Sequence, residues 1–256
     1  MNTTHPFLPS DFEPKLARGQ ITRTLYTESL QALKEKQVLI LQAPPGFGKQ
    51  SLLSYVYKKS HGIKIWLRFS EKDDDKPVFI NKLLHALALS QIQLSNYEAQ
   101  NLQRSSADEA AYLIAKVLAD REKVTFFFAG IHHLTHPFIK TLLAALLLGT
   151  GQKIRFMMSC NQNHALSIAS LTIDNQVHYI NNQSLKFSTR EALKLINLAS
   201  KIKIKSSSAF KQLNDYVQGS GIALTLIKNN LQQGMDLAEV ANEIYKGNQH
   251  LDDYFW

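Results

Sequence analysis

The chain has 256 residues, 45% of them hydrophobic and 20% charged, with a formal net charge of +8. This balance excludes a disordered tail protein, a collagen and a disulfide scaffold, and the length suits one large domain or one domain with a smaller appendage. The positive excess is spread along the chain, which permits contact with phosphates or nucleic acid without requiring it.

Residues 1–36 read as a lead segment and a helix. The start, MNTTHPFLPSDFEPK, has neither a basic leader nor an apolar core and is not expected to be a signal peptide. Residues 37–42 form a short apolar run, read as a buried strand, that enters the loop Ala43-Pro44-Pro45-Gly46-Phe47-Gly48-Lys49. A helix is expected over 50–60, with Leu52, Leu53, Val56 and Tyr57 on one face, and a strand over 63–69. Residues 70–77 are a polar loop containing Asp73, Asp74 and Asp75; three adjacent acids point in different directions and read as a solvated connector, not a metal site. Helices are expected over 78–89 and 107–118.

Residues 124–129 are apolar but for Thr125, the pattern of a strand buried on both faces of a parallel sheet. A helix over 137–148 and strands over 154–159 and 176–180 complete this part. Neither longest apolar run, 124–131 or 142–148, approaches the ~20 residues of a membrane helix. Cys160 is the single cysteine, so no intramolecular disulfide can form; a reducing, cytoplasmic setting without a membrane is expected. Beyond residue 185 the pattern turns helical, over 189–202, 207–217, 222–231 and 237–245. Ser188 and Glu191 have capping-box spacing, and Gly219, Gly221 and Gly234 punctuate the series. The expected fold is α/β: a P-loop NTPase-like parallel sheet sandwiched by helices over 37–185, then a small α-helical domain over 186–256.

A strand, a Gly-rich loop ending in Gly-Lys and a helix together form the setting of a phosphate-binding loop. Its N–H groups cradle phosphate oxygens, its Lys reaches the terminal phosphates, and the next hydroxyl binds Mg²⁺. Against G-x-x-x-x-G-K-[ST], Gly48 and Lys49 are in place, the first Gly is Ala43, and the hydroxyl position is Gln50. Ser51 comes one residue late, rotated by about 100° around a helix, and is expected to miss a metal.

The sequence resembles the nucleotide-binding region of the large LuxR-type (MalT-like) transcription regulators, STAND-class P-loop ATPases, from about Phe12 to Tyr254. The resemblance is carried by Pro14-Lys15-Leu16 and Arg23, by residues 41–49, by Trp66-Leu67 with residues 73–79, and by residues 187–192 and 219–224. It implies an ATP or ADP site at Ala43, Pro44, Pro45, Gly46, Phe47, Gly48, Lys49, Gln50 and Ser51, with an adenine-side contact from Arg23. It also implies two carboxylates after the third strand and an Arg after the Ser of the fourth. This chain has Ala129, Gly130 and Cys160 there, and no Asp or Glu between Lys123 and Leu171. Four roles fail together, so no residue is assigned as catalytic, no Mg²⁺ is expected, and hydrolysis should be negligible. Whether Lys49 and the loop amides hold nucleotide weakly or not at all stays open.

Other readings carry less. His132, His133 and His136 with Cys160 could bind Zn²⁺, and Cys160 with His132 or His133 could form a nucleophilic pair, but polar capping of a strand end explains the histidines equally. The run Lys201–Lys205 reads as a solvated element, and no recognition helix is apparent, so direct DNA binding is not expected. The aromatic Tyr254-Phe255-Trp256 suggests docking on the chain itself or on a partner. The leading expectation is a regulatory module without hydrolysis, acting through a protein partner or self-association. The alternatives are a ligand-free scaffold or adaptor, and an ATP-hydrolysing switch in which Gln50 and His132 or His133 take over the missing roles.

Overall fold

The computed structural model describes residues 7–14, 21–161, 166–198 and 204–246. Among these, five parallel strands, β1 (Val38–Gln42), β2 (Ile63–Arg68), β3 (Val124–Ala129), β4 (Ile154–Cys160) and β5 (Val177–Asn181), form one sheet in the order β2-β3-β4-β1-β5. Every residue of β3 is buried, Thr125 included, as a strand covered on both faces requires. The strand carrying the loop does not touch β3, because β4 lies between them.

Helices α1 (Thr24–Glu35) and α2 (Lys49–Lys59) cover one face of the sheet, meeting Leu39, Leu41, Trp66, Phe127 and Met157. On the other face lie α3 (Lys76–Leu89), α4 (Asn96–Arg104), α5 (Ala107–Leu118) and α6 (Pro137–Gly149), over a core that includes Phe79, Phe126, Phe128 and Phe156. The Phe126 and Phe156 rings stack at 5.3 Å between adjacent strands. Two short helices, α7 (Ala169–Ile173) and α8 (Asn182–Leu185), flank β5.

A third core is built by α9 (Thr189–Asn197), α10 (Ser208–Tyr216), α11 (Gly221–Gln232) and α12 (Leu237–Tyr245). Ile21 from the lead segment joins it. The expected capping box closes α9: Ser188 Oγ accepts from the Glu191 amide, and the Glu191 carboxylate accepts from the Ser188 amide at 2.9 Å.

The three adjacent acids prove structural. Asp73 accepts from the Ser70 amide and pairs with buried Lys82 at 2.9 Å. Asp74 accepts from the amides of Thr135 and His136 and from the Thr135 hydroxyl, and Asp75 caps α3 through the Val78 amide. The expected loop over 70–77 is therefore shorter, and α3 starts at Lys76. The helices α4 and α7 lie where the sequence pattern predicts no element. The expected helix over 189–202 is described only to Asn197; residues 199–203, with part of the Lys201–Lys205 run, lie outside the described residues, as do Lys15, Leu16 and Tyr254-Phe255-Trp256.

Candidate functional site

The loop between β1 and α2 turns where Gly46 and Gly48 adopt φ of +87° and +77°, a region open to glycine at no steric cost. Gly48 is the residue before α2, so the first amides of that helix face the space the loop encloses. A Cβ added at Gly48 would meet nothing within 4 Å, which leaves that side of the loop open. Phe47 is 2% exposed and packs with Leu52 and Leu53 in the α1/α2 core, anchoring the loop from below. Lys49 Nζ donates to the carbonyls of Ala43 at 2.5 Å and Pro44 at 2.7 Å. Burial lowers its pKa to about 8, against an opposing contribution from Cys160.

A cleft of about 280 Å³ opens beside this loop, at the C-terminal edge of the sheet, where open α/β sheets bind ligands. Pro45, Gly46, Gly48, Lys49, Gln50 and Ser51 line its loop side. The strand ends contribute Arg68, Phe69, Ala129, Gly130, His132, His133 and Ser159. None of these side chains is a carboxylate.

The edge is tightly tied. The Gly130 amide donates to both the carbonyl and the hydroxyl of Ser159, each at 3.1 Å. Gly130 has φ +86°, and a Cβ there would stand 3.0 Å from the Phe69 carbonyl oxygen. His132 Nε2 lies 2.9 Å from the Asn161 side-chain amide nitrogen, and its Nδ1 is buried with no partner among the described residues. Burial, then His133 and Lys49, lower the His132 pKa to about 4, so this ring is neutral at physiological pH.

The structure separates several residues that sequence spacing groups together. Ala43 and Phe47 are buried in the core, so they can meet a ligand only through their backbone. Pro44 gives its carbonyl to Lys49. Ser51, expected in the nucleotide site though one residue late for a metal, lines the cleft. Arg23 is not among the lining residues. It bonds the carbonyls of Leu185 at 2.8 Å and Lys186 at 2.6 Å, pairs with Glu191 at 3.0 Å, and lies 4.2 Å over the Phe187 ring. Its donors thus tie the lead segment to the start of the helical core.

The zinc and nucleophile readings of the histidine cluster are not supported. His136 caps α6, its Nδ1 accepting from the Phe138 amide. Cys160 is fully buried, its thiol donates to the Leu41 carbonyl, and burial pushes its pKa up to about 11 despite Lys49. No three His, Cys, Asp or Glu side chains converge among the described residues. Arg68 and Ser159 are cleft residues that sequence reasoning missed. The only signal was an Arg ending an apolar strand, which alone looks like a solvated terminus.

Mg²⁺, which P-loop ATPases use, is poorly served by this donor set: the lining has the Gln50 amide and the Ser51 and Ser159 hydroxyls but no carboxylate to hold the ion or its water shell. A nucleotide's phosphates do fit: the loop is open at Gly48, with Lys49 and the start of α2 beside it.

No protein-family model matches the chain. Over 245 residues, 93% of the chain, it is 21% identical to the serine/threonine-protein kinase PknK of Mycobacterium tuberculosis, covering 22% of that protein. Over 242 residues, 91% of the chain, it is 24% identical to the HTH-type transcriptional regulator MalT of Klebsiella pneumoniae, covering 26% of it. The chain thus spans about a quarter of the length of these curated relatives. Among solved structures, the Walker-type ATPase of Pyrococcus abyssi superposes with a TM-score of 0.61 at 13% identity, over 94% of this chain and 77% of that one. A signal transduction ATPase with numerous domains (STAND) and a tetratricopeptide repeat sensor, from Pyrococcus horikoshii, gives 0.59 at 18% identity, over 84% of this chain and 31% of that one.

Fold and loop define a P-loop ATPase-like domain. In fold it is similar to the STAND ATPase of Pyrococcus horikoshii, and in sequence it is distantly similar to MalT and PknK.

Proposed function

We propose that the chain is a regulatory P-loop module that holds the phosphates of ATP or ADP without hydrolysing them, and that passes occupancy of the loop to a protein partner in transcription or signalling. The observation that carries this is the composition of the cleft: a phosphate loop with Lys49, closed by strand ends that bear no carboxylate. Gly46, Gly48, Lys49 and the first amides of α2 bind phosphate oxygens. The lining offers no carboxylate to hold a metal or polarise a water, and each missing positioned group costs about 3 kcal/mol of transition-state stabilisation. Transmission is supported by the far side of the loop. The Gly46 carbonyl accepts from the Ile222 amide at 3.1 Å and from Ser220 Oγ at 3.4 Å, so α11 rests directly on the phosphate loop. MalT is by name a transcriptional regulator and PknK a serine/threonine-protein kinase.

The test is phosphate release from ATP with Mg²⁺ by purified protein and by Lys49→Ala. The proposal expects both at background. Steady turnover in the parent that vanishes in Lys49→Ala would establish an enzyme instead. The Lys49 contacts to Ala43 and Pro44 favour a second reading, a loop closed on itself in a ligand-free scaffold; failure to bind nucleotide at millimolar concentration would select it.

A further inference from the structure

Strand register sets three residues in one row across the C-terminal edge of the sheet. Arg68 of β2 pairs with Ala129 of β3, and Ala129 pairs with Ser159 of β4. Side chains alternate along a strand. Trp66, Phe127 and Met157, two residues earlier, all enter the α1/α2 core. Arg68, Ala129 and Ser159 therefore project on the side where α2 begins, and all three line the cleft with Lys49.

The chemistry of this row is inverted relative to a metal-binding edge. A carboxylate at position 129 would stand one strand away from Arg68, about 4.8 Å between backbones, and would neutralise it. With alanine there, the Arg68 guanidinium has no hydrogen bond or ion pair among the described residues. A carboxylate at 130 is opposed by a φ of +86° and by the Phe69 carbonyl. The cleft therefore carries two side-chain cations, Lys49 and Arg68, and no anion.

Resting on the nucleotide-binding reading above, we propose that Arg68 takes the place of the metal: its guanidinium supplies the countercharge for the polyphosphate, so the site selects metal-free nucleoside triphosphate over the magnesium complex. A guanidinium presents a planar fork that grips two phosphate oxygens, a task otherwise done by a divalent ion. The free triphosphate carries more negative charge than its magnesium complex, and a bound Mg²⁺ would meet Arg68 with no carboxylate to offset the repulsion.

The test is calorimetric titration of the whole chain with ATP, in EDTA and in excess Mg²⁺, for the parent, Arg68→Ala and Arg68→Lys. Thermal melts check that each variant folds, as expected for an exposed side chain. The expected result is binding in EDTA, at least tenfold weaker in Mg²⁺, with Arg68→Ala weakening the EDTA affinity about tenfold and Arg68→Lys falling between. The double variant Arg68→Ser with Ala129→Asp should regain a preference for Mg²⁺. Binding that requires Mg²⁺, or that is unchanged in Arg68→Ala, overturns the role of Arg68 while leaving nucleotide binding intact. No binding by the parent in either condition overturns the nucleotide-binding reading, and this inference with it.

Discussion

Lys49 is the residue on which phosphate binding turns, and its surroundings make that binding sensitive to alkali. With its pKa lowered by burial to about 8, the free side chain is cationic at pH 7 and loses its proton as the pH rises through 8. A phosphate ligand prefers the cation, so above pH 8 binding must be accompanied by proton uptake. ATP affinity is therefore predicted to fall between pH 7.5 and 9.5, approaching tenfold per unit at the upper end, whereas Lys49→Arg, if it binds, should show a flat profile. Calorimetry in two buffers of different ionisation enthalpy would count the proton directly. His132 is held neutral, so it should add no step between pH 5 and 7. At this scale the sequence was a partial guide. Gly48-Lys49 announced the loop, and the missing acids at Ala129 and Gly130 were visible as letters. That Arg68 faces the same cleft depends on strand register, which no local pattern reveals. The partners of Arg23 are hidden for a similar reason: they lie more than 160 residues away, at Leu185, Lys186 and Glu191.

Two contacts between elements can be probed separately. The first joins α11 to the phosphate loop. Gly46 has φ +87°, and a Cβ there would come within 2.7 Å of Ile222 Cγ2. Gly46→Ala should therefore combine backbone strain of about 1–3 kcal/mol with displacement of α11. The readouts are a lower melting temperature and faster amide exchange at Ile222. The second lies on the opposite face, where Lys82 of α3 is 2% exposed and is held by Asp73 at 2.9 Å and by Asp11 at 3.5 Å. Asp73→Asn leaves a buried cation with one distant partner, and should cost about 3 kcal/mol of unfolding free energy by denaturant titration. Element by element, β3 and α5 are legible to the residue because β3 is almost wholly apolar and α5 repeats its apolar positions at helical spacing behind a capping box. Helix α4 was missed because only Leu102 of its nine residues is buried, leaving too weak an apolar stripe to see.

For the whole molecule, two cores sandwich the sheet and a third belongs to the terminal helices, with the phosphate loop at their meeting point. Ile21 enters the helical core and Arg23 bonds Glu191 at the start of α9, so the lead segment ties the helices to the sheet from a second direction. The alternation of strands and helices made the α/β class legible from sequence. The insertion of β4 between β1 and β3 was not, because strand order is set by packing between distant segments. That insertion places Ser159 beside Ala129 at the cleft edge. No helix among the described residues is long and apolar enough to cross a membrane. The central claim is that this cleft holds nucleotide phosphates without a metal and without turnover. Its most direct test is titration calorimetry with ATP in EDTA on the parent chain and on Lys49→Ala. The account predicts saturable binding in the parent that is lost in the variant. Absence of binding at millimolar ATP, or binding indifferent to Lys49, would contradict it.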